Sequence, residues 1–209
     1  VIQEVDGNDV ELWRWTMSAH FDPAAAPFAQ NFESTPGFAG TGWDVFHISA
    51  IDRQSNGDYL VTARHLDGVF RVNHNSGQPD DGDVLWTLGT PASTDPGAQR
   101  LKVVGDPYGG PKRPHDGRLN GDVLTLFDNQ AGMPGRRSRA VAYKINVVAG
   151  TATMLWELRS DATYTGDTLG SVRVSGDGSV LVNWSAGLQP IIDERTAAGV
   201  RLMSIGMPN

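Results

Sequence analysis

Three segments of the sequence repeat one pattern, and this repetition restricts the fold more than any other feature. The segments "NGDYLVTAR", "NGDVLTLFD" and "DGSVLVNWS" begin at residues 56, 120 and 177. Each has a glycine-containing turn pair followed by an apolar run, which is typical of a tight turn leading into a β-strand. One strand-like run precedes each segment and two more follow it. Each repeat therefore predicts four strands.

Four antiparallel strands per repeat, with Trp in the last strand of the first two, indicate the blades of a β-propeller. We predict an all-β fold with one domain over residues 1–209 and blades at about 43–89, 114–159 and 169–206. The first 16 residues match only the last two strands of a blade, so the chain holds about three and a half blades. A β-sandwich is the alternative, but it needs no internal repeat.

A ring of three and a half blades is incomplete, because propellers close with about four to eight blades. An open apolar edge strand invites aggregation. We therefore expect residues 1–16 to pair with the last blade, or another chain or a missing segment to complete the ring.

Composition excludes several classes of partner and site. The formal net charge is -7, from 17 Lys and Arg against 24 Asp and Glu, so nucleic acid is not expected to be a main partner. No apolar run is long enough to span a membrane. The start, "VIQEVDGNDV", lacks the basic and apolar regions of a signal peptide, so we expect a mature, trimmed or cytosolic chain. Without cysteine there are no disulfides or thiolate metal sites.

Two histidines occupy equivalent positions in the predicted blades. Long Pro- and Gly-rich connections at 17–42 and 90–113 lead into first strands that start at His47 and His115. The first strand of a blade lines the central channel, so both side chains can face one channel mouth. The alternative is two unrelated histidines that cap loops or donate to backbone carbonyls.

The other histidines are weaker candidates. His65 ends the second strand of its blade beside Arg64, one layer further from the channel, which favours a supporting role. His20 and His74 lie in loop-like sequence, and we predict that both are surface residues.

The hairpin around "FDNQAGMPGRRSRA" combines an amide with a basic loop. Asp128 and Asn129 end a predicted strand, and Arg139 begins the next one after Arg136 and Arg137. Asp and Asn often serve only to initiate turns, and a basic loop is often only solvated. Alternatively, Asn129 is an amide donor aimed at the channel, and Arg139 offers its planar fork to a sulfate-like oxyanion. A histidine beside such a fork is suited to group transfer.

Other chemistries have little support in the sequence. It has no H-E-x-x-H zinc motif, no G-x-S-x-G nucleophile motif, no glycine-rich phosphate loop and no complete calcium loop. We predict neither a cofactor nor a metal.

Five segments, in order, resemble the arylsulfotransferase (arylsulfate sulfotransferase) family, whose pattern is roughly H-x-N-S-x-D, D-G-N-Y-L-I-S-x-R-H, W-x-L-G, Q-H-D-A, F-D-N-G and S-R-x-x-x-Y. The best matches lie between about 43 and 185. The segments are "WDVFHISAIDRQSNGDYLVTARHLDGVFRVN", "VLWTLG", "RPHDGRLNGDVLTLFDN", "SRAVAYKI" and "GSVRVSGDGSVLVNWS".

The resemblance implies a six-bladed propeller that is usually exported, which predicts a secreted or periplasmic protein. It also implies sulfuryl transfer from an aryl sulfate to a phenol through a histidine, without a nucleotide donor. Matched by motif, the site residues are His47, His115, Asn129 and Arg139. We expect Arg139 to hold two sulfate oxygens and Asn129 to donate to a third.

The sequence departs from the family pattern in ways that keep two other functions open. Ser49 and Ala50 replace the usual Asn-Ser, and Pro114 replaces the Gln before His115. The family's enzymes use a further histidine in a later blade as nucleophile, and this sequence has no histidine after His115. One alternative is a non-catalytic extracellular propeller that serves as a binding or structural module. The other is a quinone-dependent dehydrogenase or lactonase, for which the sequence has no convincing metal-binding carboxylate set.

Overall fold

The structure, a computed structural model, describes residues 1–27, 32–33, 42–89, 92–160, 166–184 and 191–206. In these residues the protein is all-β, and the only helical elements are two short 3-10 turns, Met17–Ala19 and Pro23–Ala25. None of the helices in the described ranges is long and apolar enough to cross a membrane.

The chain begins with two small antiparallel sheets. The first is a hairpin whose turn is fixed by the Asp6 carboxylate, which accepts from the backbone N–H groups of Asn8 and Val10. The buried Trp15 indole donates to the Gly82 carbonyl at 2.7 Å, which attaches the hairpin to the next sheet. The strands are β1 (Ile2–Val5) with β2 (Glu11–Trp15), and β3 (Phe32–Glu33) with β4 (Gly42–Trp43).

Three larger sheets follow, and each contains four consecutive antiparallel strands in chain order: β5–β8, β11–β14 and β15–β18. The strands are β5 (Ile48–Arg53), β6 (Tyr59–Ala63), β7 (Gly68–Val72), β8 (Val84–Leu88), β9 (Gln99–Arg100), β10 (Lys102–Val104), β11 (Pro114–Asn120), β12 (Val123–Asp128), β13 (Arg139–Asn146), β14 (Thr151–Arg159), β15 (Ser171–Val174), β16 (Val180–Asn183), β17 (Ile191–Arg195) and β18 (Arg201–Gly206).

These sheets confirm the predicted all-β class and the four-stranded antiparallel unit. The first strand of the middle unit, β11, contacts both β5 and β15, the first strands of its two neighbours. This arrangement is compatible with a propeller-like fold in which the first strands lie innermost. The number of blades in a complete ring, and the division of the chain into three and a half of them, stay predictions.

The connection over 90–113, predicted as a loop, contributes two short strands. β9 pairs in parallel with β8, with Trp86 opposite Gln99, and β10 pairs in parallel with β14, with Lys102 opposite Thr151. The connection thereby covers the outer edges of two neighbouring sheets. This satisfies backbone groups that an open edge would expose.

The core lies between facing sheets. Gly117 of β11 approaches β6 so closely that an added Cβ would lie 2.4 Å from Thr62 Oγ1, which accepts from the Gly117 N–H. This contact fixes β11 against β6, near the strand ends that carry the candidate site. The three apolar clusters include Trp15, Phe21 and Phe70; Trp86, Leu124 and Tyr143; and Phe127, Val172 and Trp184.

The two ends of the chain do not pair with each other in the described ranges. There β1 and β2 pair only with one another, and the last large sheet contains only β15–β18. The expected pairing of residues 1–16 with the last blade is therefore not seen in this part of the chain. β18 is exposed along its length, including the apolar side chains of Leu202, Met203 and Ile205.

Candidate functional site

Two neighbouring sheets meet where β5 and β11 begin and β6 ends. His47 immediately precedes β5, His115 is the second residue of β11, and His65 follows β6 by two residues. The Ser49 hydroxyl donates to the Pro114 carbonyl at 3.0 Å and connects the two sheets at this point. The structure thus places His47 and His115 at equivalent ends of adjacent first strands.

The backbone is distorted at both positions. His47 has φ of +49°, and the register of β5 shifts between Ile48 and Ala50. Asp116, next to His115, has φ of +54°, and the register of β11 shifts within the same few residues. Left-handed backbone at a non-glycine residue is strained, and strain of this kind clusters at functional sites.

His47 forms a close pair with an acidic residue. Its Nδ1 is hydrogen-bonded to the Asp44 carboxylate. About a third of each side chain is exposed, 36% for His47 and 30% for Asp44. No hydrogen bond to His47 Nε2 occurs among the described residues. Among the residues that the structure describes, the imidazole therefore has one nitrogen bonded and the other without a partner.

His65 is fully buried beneath this pair. Its Nε2 faces Arg64 Nη1 at 2.7 Å, and its Nδ1 lies 2.5 Å from the Asp44 carbonyl. A guanidinium can only donate, so Nε2 is the acceptor and Nδ1 carries the proton. Burial lowers the pKa of His65, and its ring centroid lies 4.7 Å from that of His47. His65 is thus a neutral ring held between Arg64 and the backbone.

His115 is also held as a neutral ring. Its Nδ1 is 2.6 Å from Asn129 Oδ1, and its Nε2 accepts from the Leu169 N–H at 3.3 Å. Burial lowers the pKa of His115, and the positive charge of Arg64 lowers it further. Because Nε2 accepts from a backbone N–H, the proton lies on Nδ1.

Asn129 is fully used by the protein. Its Nδ2 donates to the carbonyls of Gly166 at 2.7 Å and Leu169 at 3.0 Å, while its oxygen accepts from His115. The expectation that this amide donates to a sulfate oxygen is wrong, because both of its N–H groups already have acceptors. Asn129 instead fixes the ring orientation and tautomer of His115.

Arg139 lies in a closed network. Its side chain has 0% exposure. Nε donates to Asp128, Nη1 donates to Asp106 and Glu157, and Nη2 donates to Asp106 and the Tyr143 hydroxyl. The expectation that Arg139 presents a free fork to sulfate is wrong, since these five hydrogen bonds use all five of its N–H donors.

The network around Arg139 is electrostatically matched. Burial alone would raise the pKa of Asp106, but hydrogen bonds from Arg139 and Tyr143 lower it to about 2. Arg136, in the predicted basic loop, donates to the carbonyl of Tyr108 and to Gln130 Oε1, and its guanidinium stacks on the Tyr108 ring. Arg136 and Arg139 therefore stabilise this loop.

Arg64 is the arginine that does contact the histidines, although it was not predicted as a site residue. It is 8% exposed, it contacts His65, and its Nη2 lies 3.4 Å from the Asp167 carbonyl. The available signal was the Arg-His pair at the end of a predicted second strand.

The prediction that His20 and His74 are surface residues is wrong. His20 is 17% exposed, stacks on Trp15 and is 2.9 Å from the Asp95 carboxylate. His74 is 12% exposed and lies 3.1 Å from Glu4. Both rings pack between aromatic and acidic side chains, and the acidic partner of His20, Asp95, comes from the 90–113 connection.

The hydrogen bonds of His65 argue against a metal site formed by Asp44, His47 and His65. Asp44, His47 and His65 offer ligand atoms within 4.8 Å of one another. However, both nitrogens of His65 are already used, and one of them faces the positive charge of Arg64. The arrangement fits a hydrogen-bonded cluster better than a metal centre.

A cavity of about 520 Å³ opens beside the Asp44–His47 pair. Its volume is within the range of small-ligand sites, about 300–1,000 Å³. Its walls are mainly apolar. They include Met17, Pro23, Val45, Phe46 and Ile48.

Comparison with known proteins agrees with the motif order. The family model described as Arylsulfotransferase (ASST) matches residues 1–190. The chain belongs to the arylsulfotransferase family. No curated protein matches the chain.

Solved structures also match, including a crystal structure of a protein from Lactobacillus plantarum titled Northeast Structural Genomics Consortium Target LpR118. It is 18% identical with a TM-score of 0.45, and the match covers 77% of this arylsulfotransferase-family chain and 41% of the other. The chain thus spans about two fifths of that protein.

Proposed function

We propose that this chain transfers a sulfuryl group from an aryl sulfate to a phenol at the cluster formed by His47, His65 and His115. The observation that carries the proposal is the convergence of three imidazoles and one buried guanidinium where two adjacent sheets meet. Family membership supports the same chemistry.

In this proposal Arg64 binds the sulfate oxygens. Its guanidinium contacts His65 and its backbone N–H donates to the His47 carbonyl, whereas Arg139 is surrounded by carboxylates. A guanidinium is suited to a tetrahedral oxyanion, and a preorganised cation stabilises charge that develops during transfer.

His115 is a neutral ring that shapes the site, because its Nδ1 donates to Asn129 and its Nε2 accepts from the Leu169 N–H. Burial lowers the pKa of His115 and so favours the neutral ring. Asn129 is the positioning residue that keeps the His115 proton on Nδ1. Arg139 supports this site indirectly, because its Nε donates to Asp128 at the end of β12, the residue before Asn129.

The test is transfer from 4-nitrophenyl sulfate to phenol, followed by absorbance of released 4-nitrophenol and mass spectrometry of phenyl sulfate. We expect both products from the wild-type protein and loss of both in His115→Ala. A folded wild-type protein that yields neither product would contradict transfer and favour the non-catalytic binding module.

We propose further that additional blades, from another chain or from a segment beyond these residues, complete the ring. The exposed apolar side chains Leu202, Met203 and Ile205 of β18 support this. Self-association or aggregation of the isolated chain, reduced by Leu202→Ser with Ile205→Ser, is expected in light-scattering measurements. A monodisperse monomer that these substitutions leave unchanged would contradict it.

We also propose that the protein is secreted or periplasmic, on the basis of its family alone. Fractionation of the source cells should recover it outside the cytoplasm, and its recovery with a cytoplasmic marker would contradict this location.

A further inference from the structure

We propose that Asp44 and His47 form the reacting pair, and that the apolar cavity beside them holds the aryl ring during transfer. In this assignment His47 Nε2 accepts the sulfuryl group and Asp44 is its positioning residue. The assignment rests on the proposed sulfuryl transfer and deepens it by naming the atom and the ring-binding surface.

The state of the two His47 nitrogens supports the first part. Nδ1 is bonded to the Asp44 carboxylate, so its proton is fixed there, and the Nε2 lone pair accepts no hydrogen bond from the described residues. A carboxylate in this position orients an imidazole and stabilises the cation that it becomes. The left-handed backbone of His47, at φ of +49°, is a second and independent sign of a specialised residue.

The other two rings are less suited to attack. His65 is fully buried, and its Nε2 accepts from Arg64. His115 is 6% exposed, and its Nε2 accepts from the backbone N–H of Leu169. His47, with 36% of its side chain exposed, is the ring of this cluster that a substrate can approach.

The cavity supports the second part. Met17 and Pro23 come from the two 3-10 turns, while Val45, Phe46 and Ile48 flank His47 in the chain. An aromatic ring against these side chains would remove apolar surface from water, worth roughly 25 cal/mol for each Å² buried. The sulfate group of the same molecule would then lie toward the Asp44–His47 pair.

The transfer balances in two steps. The Nε2 lone pair attacks sulfur, the N–S bond forms, and the bond between sulfur and the aryl oxygen breaks, so that a phenolate leaves and takes a proton from water. The positive charge on the sulfated imidazole faces the Asp44 carboxylate. The acceptor oxygen then attacks sulfur and gives its proton to water, and the N–S bond breaks to restore His47.

Ring binding can be measured without turnover. Ser18 lines the cavity and is exposed, while Ala19 is exposed in the same turn and does not line it. We expect Ser18→Trp to weaken 4-nitrophenol binding at least tenfold in calorimetric titration, and Ala19→Trp to change it less than twofold. Equal affinities in wild type and both variants, or no binding to wild type, would overturn the cavity assignment.

The reacting residue is tested by trapping the sulfated form of the protein at alkaline pH. Wild-type protein mixed with 4-nitrophenyl sulfate, without a phenol acceptor, is quenched at alkaline pH and digested for mass spectrometry. We expect the added SO₃ mass on the peptide that contains His47, its loss on addition of phenol, and no change when a metal chelator is present.

Asp44→Asn separates positioning from folding. We expect kcat to fall on the order of 10²–10⁴-fold, with 4-nitrophenol affinity unchanged and the His47 proton moved from Nδ1 to Nε2 in nitrogen NMR. Label on another residue, or an Asp44→Asn variant with wild-type kcat, would overturn the assignment while leaving sulfuryl transfer itself intact. Absence of any transfer by the wild-type protein would instead contradict the proposed function, and with it the role of His47.

Discussion

Arg139 and Arg64 lie in opposite electrostatic settings, although each is a buried arginine near a strand end. Arg139 donates to three carboxylates, those of Asp106, Asp128 and Glu157. Arg64 instead contacts the neutral ring of His65, and its backbone N–H donates to the His47 carbonyl. An incoming sulfate would meet three negative groups around Arg139, whereas the ring that the Arg64 guanidinium contacts, His65, is neutral.

The comparison shows that a guanidinium in a family motif is not by itself an anion site. A buried charge is stable only when it is paired, and Arg139 has its full set of partners inside the protein. Whether a buried arginine can bind an anion therefore depends on whether carboxylates of the protein already pair with its guanidinium.

The largest expected effect is the loss of stability in Arg139→Ala, which leaves Asp106 and Asp128 buried without their partner. Breaking a buried ion pair from one side costs about 3–5 kcal/mol. The free energy of unfolding, from urea titration followed by Trp fluorescence, should fall by this amount. A loss below about 1 kcal/mol would show that the network is not structural.

The next effect is catalytic and concerns Arg64→Gln. Removal of a group that stabilises developing charge lowers kcat on the order of 10²–10³-fold. We expect this loss in the 4-nitrophenyl sulfate assay, with a smaller loss of stability than in Arg139→Ala. Wild-type kcat in the variant would remove the contrast between the two arginines.

A smaller effect is the pH dependence of stability that Asp106 gives to the network around Arg139. The pKa of folded Asp106 is lowered from its ordinary value of 3.8 to about 2, because hydrogen bonds from Arg139 and Tyr143 outweigh the effect of burial. Its stabilising contribution is therefore present above the unfolded pKa and is lost as pH falls from about 4 to about 2. The contribution is about 2 kcal/mol. Asp106→Asn should flatten the decline in unfolding free energy over this range, and an unchanged slope would contradict the assignment.

The smallest effect is expected at the exposed pair of Lys144 and Asp122, whose side chains are 58% and 56% exposed. Exposed ion pairs contribute about 0–1 kcal/mol. Lys144→Ala should therefore leave both unfolding and transfer nearly unchanged. Lys144→Ala is the control for nonspecific effects of removing a cation. A loss of unfolding free energy comparable to that of Arg139→Ala would contradict the view that burial makes the Arg139 ion pairs strong.

The repeated sequence pattern was sufficient to predict the four-stranded units. Turn pairs followed by apolar runs are local signals, and they placed His47 and His115 at equivalent strand starts. The partners of Arg139 are not local, because Asp106 comes from the 90–113 connection and Glu157 from β14.

The state of Asn129 was equally inaccessible from sequence. Its acceptors are the backbone carbonyls of Gly166 and Leu169, more than 35 residues away along the chain. No side-chain pattern encodes such contacts. The same holds for Arg64, whose place beside His47 and His65 depends on how the strands of this sheet pack.

The position of bound sulfate tests the central claim most directly. A crystal of the protein soaked with 4-nitrophenyl sulfate would locate sulfur by anomalous scattering. The account predicts sulfur beside His47 Nε2, with its oxygens within hydrogen-bonding distance of the Arg64 guanidinium and its ring in the apolar cavity. Sulfate bound instead at Arg136 and Arg139, away from the histidines, would contradict it.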